Sequence, residues 1–358
     1  MTRYEMAQIV AKALAKGAIG ADDKLVGEFA DELDNLGVRV AKLEKHADNF
    51  KITAQVRYSY QDITGRGNAK YHDVEHFLRS RLYFTGDVND NWQYVGMLQN
   101  NHSFSNDMSV GGHNQETTAG EGTNFQRAYL QGRLGGARVQ AGRIDFNLVN
   151  SNLYDNRFDG IKAEYGSKVR IGGYYGRPTD IVNLNTANVT DFDYDKFWGV
   201  NAAADAGNFN FTAGYDRFYA AVDSSTSQKE ADGLWNVGAK YNFNDKASLG
   251  AIFMKSSLTA PADNTNKAYV ITGTFMEAKP AKVGSWGLWA KYYNQGYGTA
   301  LAHVMNGMYS DRGFKGWGAG VNYTVAKNMV AGFEYYDLDY KGEDAGAKTL
   351  WSELTMMF

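Results

Sequence analysis

The chain has 358 residues, 44% of them apolar, and a formal net charge of −3, which excludes a general electrostatic binder of nucleic acid. It has no cysteine, which excludes a disulfide framework, a thiolate zinc site and a thiol nucleophile, and no apolar run long enough for a membrane-spanning helix. Forty Gly, 24 Tyr, 19 Phe and 7 Trp against 3 Pro suit many long antiparallel strands, either in a large soluble β-protein or in an outer-membrane barrel. The residues after Met1 show no cationic region followed by an apolar stretch. An exported form is therefore expected to have lost its leader or to begin inside a longer precursor.

Three zones follow in chain order. In the first, residues 1–20, Met6, Ile9, Val10, Ala13 and Leu14 share a helical face, and Thr2 with Glu5 forms a capping-box pattern. Gly17 and Gly20 end that helix. In the second, residues 21–49, Val26, Phe29, Leu33, Leu36, Val40, Leu43, Ala47 and the following Phe50 recur at spacings of three and four. These are the a and d positions of a heptad, and they predict a coiled-coil stalk of two or three helices rather than an amphipathic helix on a globular core.

In the third zone, residues 50–358, the period is two. Ile52, Ala54, Val56, Tyr58 and Tyr60 alternate with Lys51, Thr53, Gln55, Arg57 and Ser59; Trp235, Val237, Ala239 and Tyr241 alternate with Asn236, Gly238 and Lys240. A core enclosed by so many strands would be too wide to fill with side chains, so the apolar set is expected to face lipid and the polar set water. The spacing predicts about 16 strands. Tight turns at Asn89–Asn91, Gly135-Gly136, Gly166–Lys168, Ala206-Gly207, Asn244–Lys246 and Ala326–Asn328 alternate with longer connections, among them Gln61–Val74, His102–Asn124, Asp145–Arg157, Thr179–Asp195, Ala221–Asp232 and Tyr297–Gly313. The fold class expected is thus all-β: a transmembrane antiparallel β-barrel preceded by a helical stalk.

The alternation, the strand number and the ending Leu354-Thr355-Met356-Met357-Phe358 resemble the bacterial porin superfamily. The Thr2-Arg3-Tyr4-Glu5 tetrad resembles the closing segment of an S-layer homology (SLH) domain, with Tyr4 where Ala is usual. SLH remnant, heptad stalk and barrel together resemble the OmpM-type porins of diderm Firmicutes. That resemblance implies a homotrimeric pore in the bacterial outer membrane, meeting lipid or lipopolysaccharide and passing small hydrophilic solutes, with the stalk in the periplasm. It implies no cofactor, metal or enzymatic activity. It implies a tether to peptidoglycan or another wall polymer for the intact precursor, with Thr2, Arg3 and Glu5 as the wall-binding remnant, and Phe358 as the insertion signal. The alternative is a structural anchor or adhesin with a plugged barrel.

Parity places Arg57, Arg79, Arg81, Arg127, Arg133, Arg138, Arg170, Lys240 and Lys291 toward the lumen, where charge sets selectivity. By similarity to porins the third long connection, Gly142–Gly160, is expected to fold inward. Its Asp145, Asp155 and Asp159 would then oppose the wall arginines. Aromatics near strand ends, including Trp92, Trp198, Trp235, Phe243, Trp286 and Tyr323, fit interfacial girdles, whereas Trp351 has lumenal parity. His72-Asp73-Val74-Glu75-His76 matches an inverted zincin pattern but leads into a period-two strand, so its histidines are read as surface residues. Asp87, Asn89 and Asn91 are read as a turn rather than a calcium loop.

Overall fold

A computed structural model of the chain describes residues 2–15, 24–35, 37, 50–104, 123–179, 194–220 and 231–358. Among these, sixteen strands form a closed barrel in which each strand pairs with its sequence neighbours and β1 closes on β16. All pairs are antiparallel where registers are resolved, as between β1 (Phe50–Gly67) and β16 (Ala345–Met357), where Tyr58 faces Leu354 and Gln61 faces Trp351.

Side-chain parity follows the alternation. On β2 (His72–Asn89) Leu82 is exposed on the outer surface while Phe77 and Arg79 are buried inside. The same holds on β10 (Ala231–Asn242) for exposed Trp235 and Val237 against buried Leu234. Outer aromatics gather near both rims: Phe209, Phe211, Tyr241 and Phe243 toward one, and Trp198, Tyr215 and Trp235 toward the other. An apolar outer band with aromatic edges is what hydrocarbon between two polar interfaces stabilises.

Tight turns occupy one rim. Gly135 and Gly136 have φ of 56° and 88°, the left-handed pair that a two-residue hairpin turn with right-handed strand twist requires. Asn89 Oδ1 accepts from the backbone N–H groups of Asn91 and Trp92 at 3.0 and 3.1 Å, a local turn and not a cation loop. On the opposite rim the first connection departs from expectation. Gln61–Val74 is mostly strand, because β1 and β2 both extend into it and leave only residues 68–71 between them. The expected connections His102–Asn124, Thr179–Asp195 and Ala221–Asp232 lie largely outside the described residues.

Two segments of that rim enter the lumen. The first is the hairpin of β5 (Ala137–Leu148) and β6 (Tyr154–Gly166). Its strands stay paired up to Leu148 and Tyr154, so the expected long loop Asp145–Arg157 is a β-hairpin with a tip of Val149–Leu153. The strand alternation of Ile144, Phe146 and Leu148 continues through what reads as a loop. Past Gly142 (φ 126°), Ile144, Phe146, Tyr154 and Phe158 turn onto the inner surface of β7 (Val169–Pro178) through β14 (Phe314–Ala326). There they pack with Tyr174, Phe197, Phe218, Leu234, Met254 and Val270. Phe146 meets Phe158 and Tyr174 edge-on with centroids 4.7 and 4.6 Å apart. Each such fully buried side chain contributes about 1.5–3 kcal/mol relative to exposure to water. This inner core corrects the expectation that the lumenal face is polar throughout.

The second segment is the connection between β13 (Trp286–Gln295) and β14, whose Ala300, Leu301, Met305 and Tyr309 join the same core. It leaves the wall at Gly296, where an added Cβ would lie 1.9 Å from the Thr265 carbonyl oxygen; only glycine allows that approach. It then zips to the hairpin. Leu301 and Ala302 N–H donate to the Leu153 carbonyl at 2.8 and 3.0 Å, Asp155 N–H donates to Ala302 O at 2.7 Å, and Val304 N–H donates to Ser151 O at 3.2 Å.

The N-terminal residues form a unit of their own. Helix α1 (Arg3–Ala15) starts with the expected reciprocal cap: Thr2 N–H donates to Glu5 Oε2 at 2.7 Å, and Glu5 N–H donates to Thr2 Oγ1 at 3.3 Å. Helix α2 (Lys24–Glu28) and residues 30–35 follow. Here the first heptad positions find an apolar partner within the chain. Val26, Phe29 and Leu33 pack on Ala7 and Val10 of the same chain, and Arg3 Nε donates to Glu32 Oε1 at 2.6 Å. An apolar stripe takes whichever apolar partner lies nearest, and the preceding helix supplies it. Of the remaining stalk positions, Leu36, Val40, Leu43 and Ala47 lie outside the described residues, and Phe50 begins β1.

Candidate functional site

The hairpin and the β13–β14 connection leave a cavity of about 550 Å³ against the wall of the early and last strands. Arg57 on β1, Arg79 and Arg81 on β2, and Arg127 on β4 (Thr123–Leu134) line it from the wall. A register shift between β3 (Trp92–Ser103) and β4 places Arg127 on the inner face one residue after a bulge, while Phe125 stays outside.

Facing the arginines is the outer-parity side of the inturned hairpin, which carries Asp145, Asp155 and Arg157. Arg127 donates from Nη2 to Asp145 Oδ2 at 2.7 Å, and its guanidinium lies over the Tyr83 ring at 5.8 Å. Arg57 pairs with Glu353 of β16 at 3.1 Å and lies over the Trp351 indole at 5.5 Å. Trp351 is fully buried on the lumenal side and donates its Nε1 to Glu353 Oε2 at 3.1 Å. Arg81 donates from Nε to Gln99 Oε1 at 2.6 Å, and Arg79 donates to Gln55 Oε1 at 3.4 Å.

On the other side of β1, the last strands supply Lys291 of β13 and Glu334 of β15 (Met329–Tyr340). Glu334 accepts from Asn306 Nδ2 at 2.9 Å and from the Tyr336 hydroxyl at 2.6 Å, which ties the β13–β14 connection to β15. Gln61 of β1 donates to the Asn306 carbonyl at 2.8 Å, and Met308 N–H donates to Thr349 Oγ1 of β16 at 3.0 Å. His303 is buried in the same connection. Its Nδ1 accepts from Met305 N–H at 3.1 Å, and burial with Lys291 nearby pulls its pKa well below the ordinary imidazole value.

The other expected lumenal cations do not reach this cavity. Arg133, Arg138, Arg170 and Lys240 have lumenal parity but lie beside the tight turns of the far rim; Arg170 pairs with Asp205 at 2.7 Å. Asp159 is drawn to Arg143, which donates from Nε and Nη2 at 2.8 Å each, so of the three expected acids only Asp145 and Asp155 line the cavity. Sequence reading missed Glu334, Glu353, Arg157 and His303. The signal for the last was an unusually apolar connection, Ala300-Leu301-Ala302-His303-Val304-Met305, which an exposed loop would not carry.

The residues of the zincin-like pattern are not gathered into a site. On β2, His72 and His76 share the outer face, bonded to Asp62 at 3.1 Å and to the Tyr58 hydroxyl at 2.7 Å, while Glu75 is buried inside. Among the described residues no group of three or more His, Asp or Glu side chains is arranged to hold a metal ion.

No family model matches the sequence, and no curated protein does. Solved structures do match. A substituted form of the Rh. blastica porin superposes with a TM-score of 0.52 at 15% identity, covering 86% of this chain and 100% of that one. Salmonella typhi OmpF in complex with daunomycin superposes with a TM-score of 0.56 at 12% identity, covering 87% of this chain and 99% of that one. The likeness is one of fold: a porin-like closed barrel.

Proposed function

We propose that this chain is a bacterial outer-membrane porin through which small hydrophilic solutes diffuse passively. The observation that carries this reading is the charged cavity held inside a closed barrel whose outer face is apolar. Charged side chains cost little against a water-filled lumen and bias which solutes cross it. Arg57, Arg79, Arg81, Arg127 and Lys291 on the wall, with Asp145 and Asp155 on the hairpin, form the selective section. The basic residues nearer the tight turns form a vestibule.

In the same reading the barrels associate as homotrimers in lipid or lipopolysaccharide, and the full-length form tethers the outer membrane to peptidoglycan through an SLH domain. Residues 1–20, with Thr2, Arg3 and Glu5, are the remnant of that domain, supported by the capped helix at this position. Residues 21–49 are then the periplasmic coiled-coil stalk, in which Val26, Phe29 and Leu33 also pack with Ala7 and Val10 of the same chain. Phe358 is the insertion signal; it follows the final strand, which pairs with β1 to close the barrel, and its N–H donates to Ala54 O at 2.9 Å.

Liposome swelling tests the transport reading. Purified protein should admit small sugars, with rates that fall as solute mass rises. Liposomes that stay impermeable would instead favour a barrel serving as an anchor, a second reading motivated by the two segments that cross the lumen.

A further inference from the structure

The charge around the cavity is not balanced. Cations from β1, β2, β4, β6 and β13 outnumber the carboxylates, which come from the hairpin, β15 and β16. Arg57 is matched locally by Glu353 and Arg127 by Asp145. Arg81 is not: its acceptors are neutral, the Gln99 amide oxygen at 2.6 Å and the Tyr83 hydroxyl. Gln99 is itself buried and anchored, donating from Nε2 to Asn101 Oδ1 at 3.1 Å. A buried amide thus fixes the guanidinium of Arg81 in one orientation. Its neighbour two residues away, Arg79, is 8% exposed and on the same face.

Two like charges held side by side at the edge of a low-dielectric wall repel each other, and an anion between them removes that cost. A guanidinium presents a planar fork of donors that matches the two oxygens of a carboxylate or phosphate, and a fork already oriented loses little entropy on binding. The cavity is wide enough for a solute of metabolite size.

The geometry points to a binding subsite for a small organic oxyanion, a carboxylate or a phosphate ester, seated on Arg79 and Arg81, so that the channel favours such solutes over neutral and cationic ones. This inference rests on the transport reading above and names the substrate class of that same lumen. Asp145 and Asp155 on the hairpin oppose the subsite across the cavity. They keep binding weak enough for release, as conduction requires.

Single-channel recording in dilute KCl tests it, with citrate and inorganic phosphate as probes at about 10 mM and below, the weak-binding range. Both should reduce the chloride current in a saturable way; citrate alone acting would assign the subsite to carboxylates, and phosphate alone to phosphates. In a protein with Arg79→Gln and Arg81→Gln the concentration for half block should rise by about tenfold or more, the loss expected for a charge-assisted bidentate contact. Lys282→Gln, an exposed cation in the turn before β13, should leave it unchanged. Arg81→Lys keeps the charge without the fork and should weaken block severalfold; it serves if the double variant inserts poorly. Equal block in wild type and the arginine variants, or equal loss in Lys282→Gln, would overturn the subsite. Conduction with no block overturns the subsite alone and leaves passive transport standing, whereas absence of conduction overturns the transport reading on which it rests.

Discussion

Gln295, at the end of β13, donates its Nε2 to the carbonyl oxygen of Asn152 at 3.0 Å. Asn152 belongs to the tip of the hairpin that leaves the wall between β5 and β6, eight strands away in a ring of sixteen. The bond therefore spans the lumen from side to side. The same amide donates to Thr299 O at 2.7 Å, and Gln295 is fully buried. One side chain thus fastens both inturned segments. Gln295→Leu would leave two buried carbonyls without that donor, at a cost of about 1–3 kcal/mol. The expected result is an intact barrel with a loosened partition, read as increased open-channel current noise and faster amide exchange at residues 150–153. Unchanged noise and exchange would mean that the bond does not hold the hairpin.

The β13–β14 connection occupies lumen that the hairpin alone would leave open. Replacing residues 299–305 with two glycines should raise single-channel conductance roughly twofold, because less protein then lies in the conducting path. The zipper to Leu153 and Ser151 is lost in the same variant, so larger sugars should also swell liposomes. Unaltered conductance would place the limiting section elsewhere.

Arg127 and Asp145 form an ion pair at 2.7 Å between the wall and the hairpin. Asp145→Asn should shift the reversal potential in a KCl gradient toward chloride, and Arg127→Gln should shift it toward potassium. The double variant should return close to wild type, because the two charges cancel within one Debye length, about 10 Å at 0.1 M salt. Two shifts that add without cancelling would show that the groups act at separate sections of the lumen.

His303 makes the seating of the β13–β14 connection sensitive to acid. Its Nδ1 accepts a backbone N–H from Met305, so the neutral ring carries its proton on Nε2. The groups facing it are Lys291, Tyr293, Tyr309 and Phe314; burial first, and then the charge of Lys291, disfavour the imidazolium. Its folded pKa lies well below the ordinary 6.5, so the unfolded segment binds the proton more readily than the seated one. The stabilisation is complete above about pH 6.5 and is lost as pH falls below that, by up to about 1.4 kcal/mol per pH unit. Wild type should show faster amide exchange at residues 299–305 at pH 5 than at pH 7.5, after correction for intrinsic rates. His303→Gln should abolish the difference, and a difference that persists in that variant would assign it to another group.

The barrel was legible because its physics is periodic. Trp235 and Val237 alternate with Asn236 and Gly238, and a face exposed to lipid demands that pattern at every strand. Turn chemistry was equally plain at Gly135-Gly136, where two left-handed residues leave little choice but glycine. The inner face was only half legible. Ile144 and Phe146 alternate with Asp145 and Asn147 like any strand, and nothing local records that the hairpin bends away from the wall after Gly142. That bend exchanges the roles of the two faces: residues of outer parity look into the cavity, and residues of inner parity form an apolar core. Glu334 and Glu353 have lumenal parity, but nothing in their spacing sets them apart from any other acidic residue on an alternating strand. The partner of the heptad stripe was illegible for a related reason. Val26, Phe29 and Leu33 specify an apolar stripe but not its partner, and Ala7 and Val10 fill that role.

The chain contains no cysteine, so single cysteines report without background. The most direct test of the account is to place them one at a time at Leu78, Arg79, Arg81 and Leu82 of β2 and to add a charged, water-soluble thiol reagent to the membrane-inserted protein. The account predicts reaction at positions 79 and 81 with a stepwise fall in ion current, and no reaction at 78 and 82. Reaction at 78 and 82 with silence at 79 and 81 would contradict it.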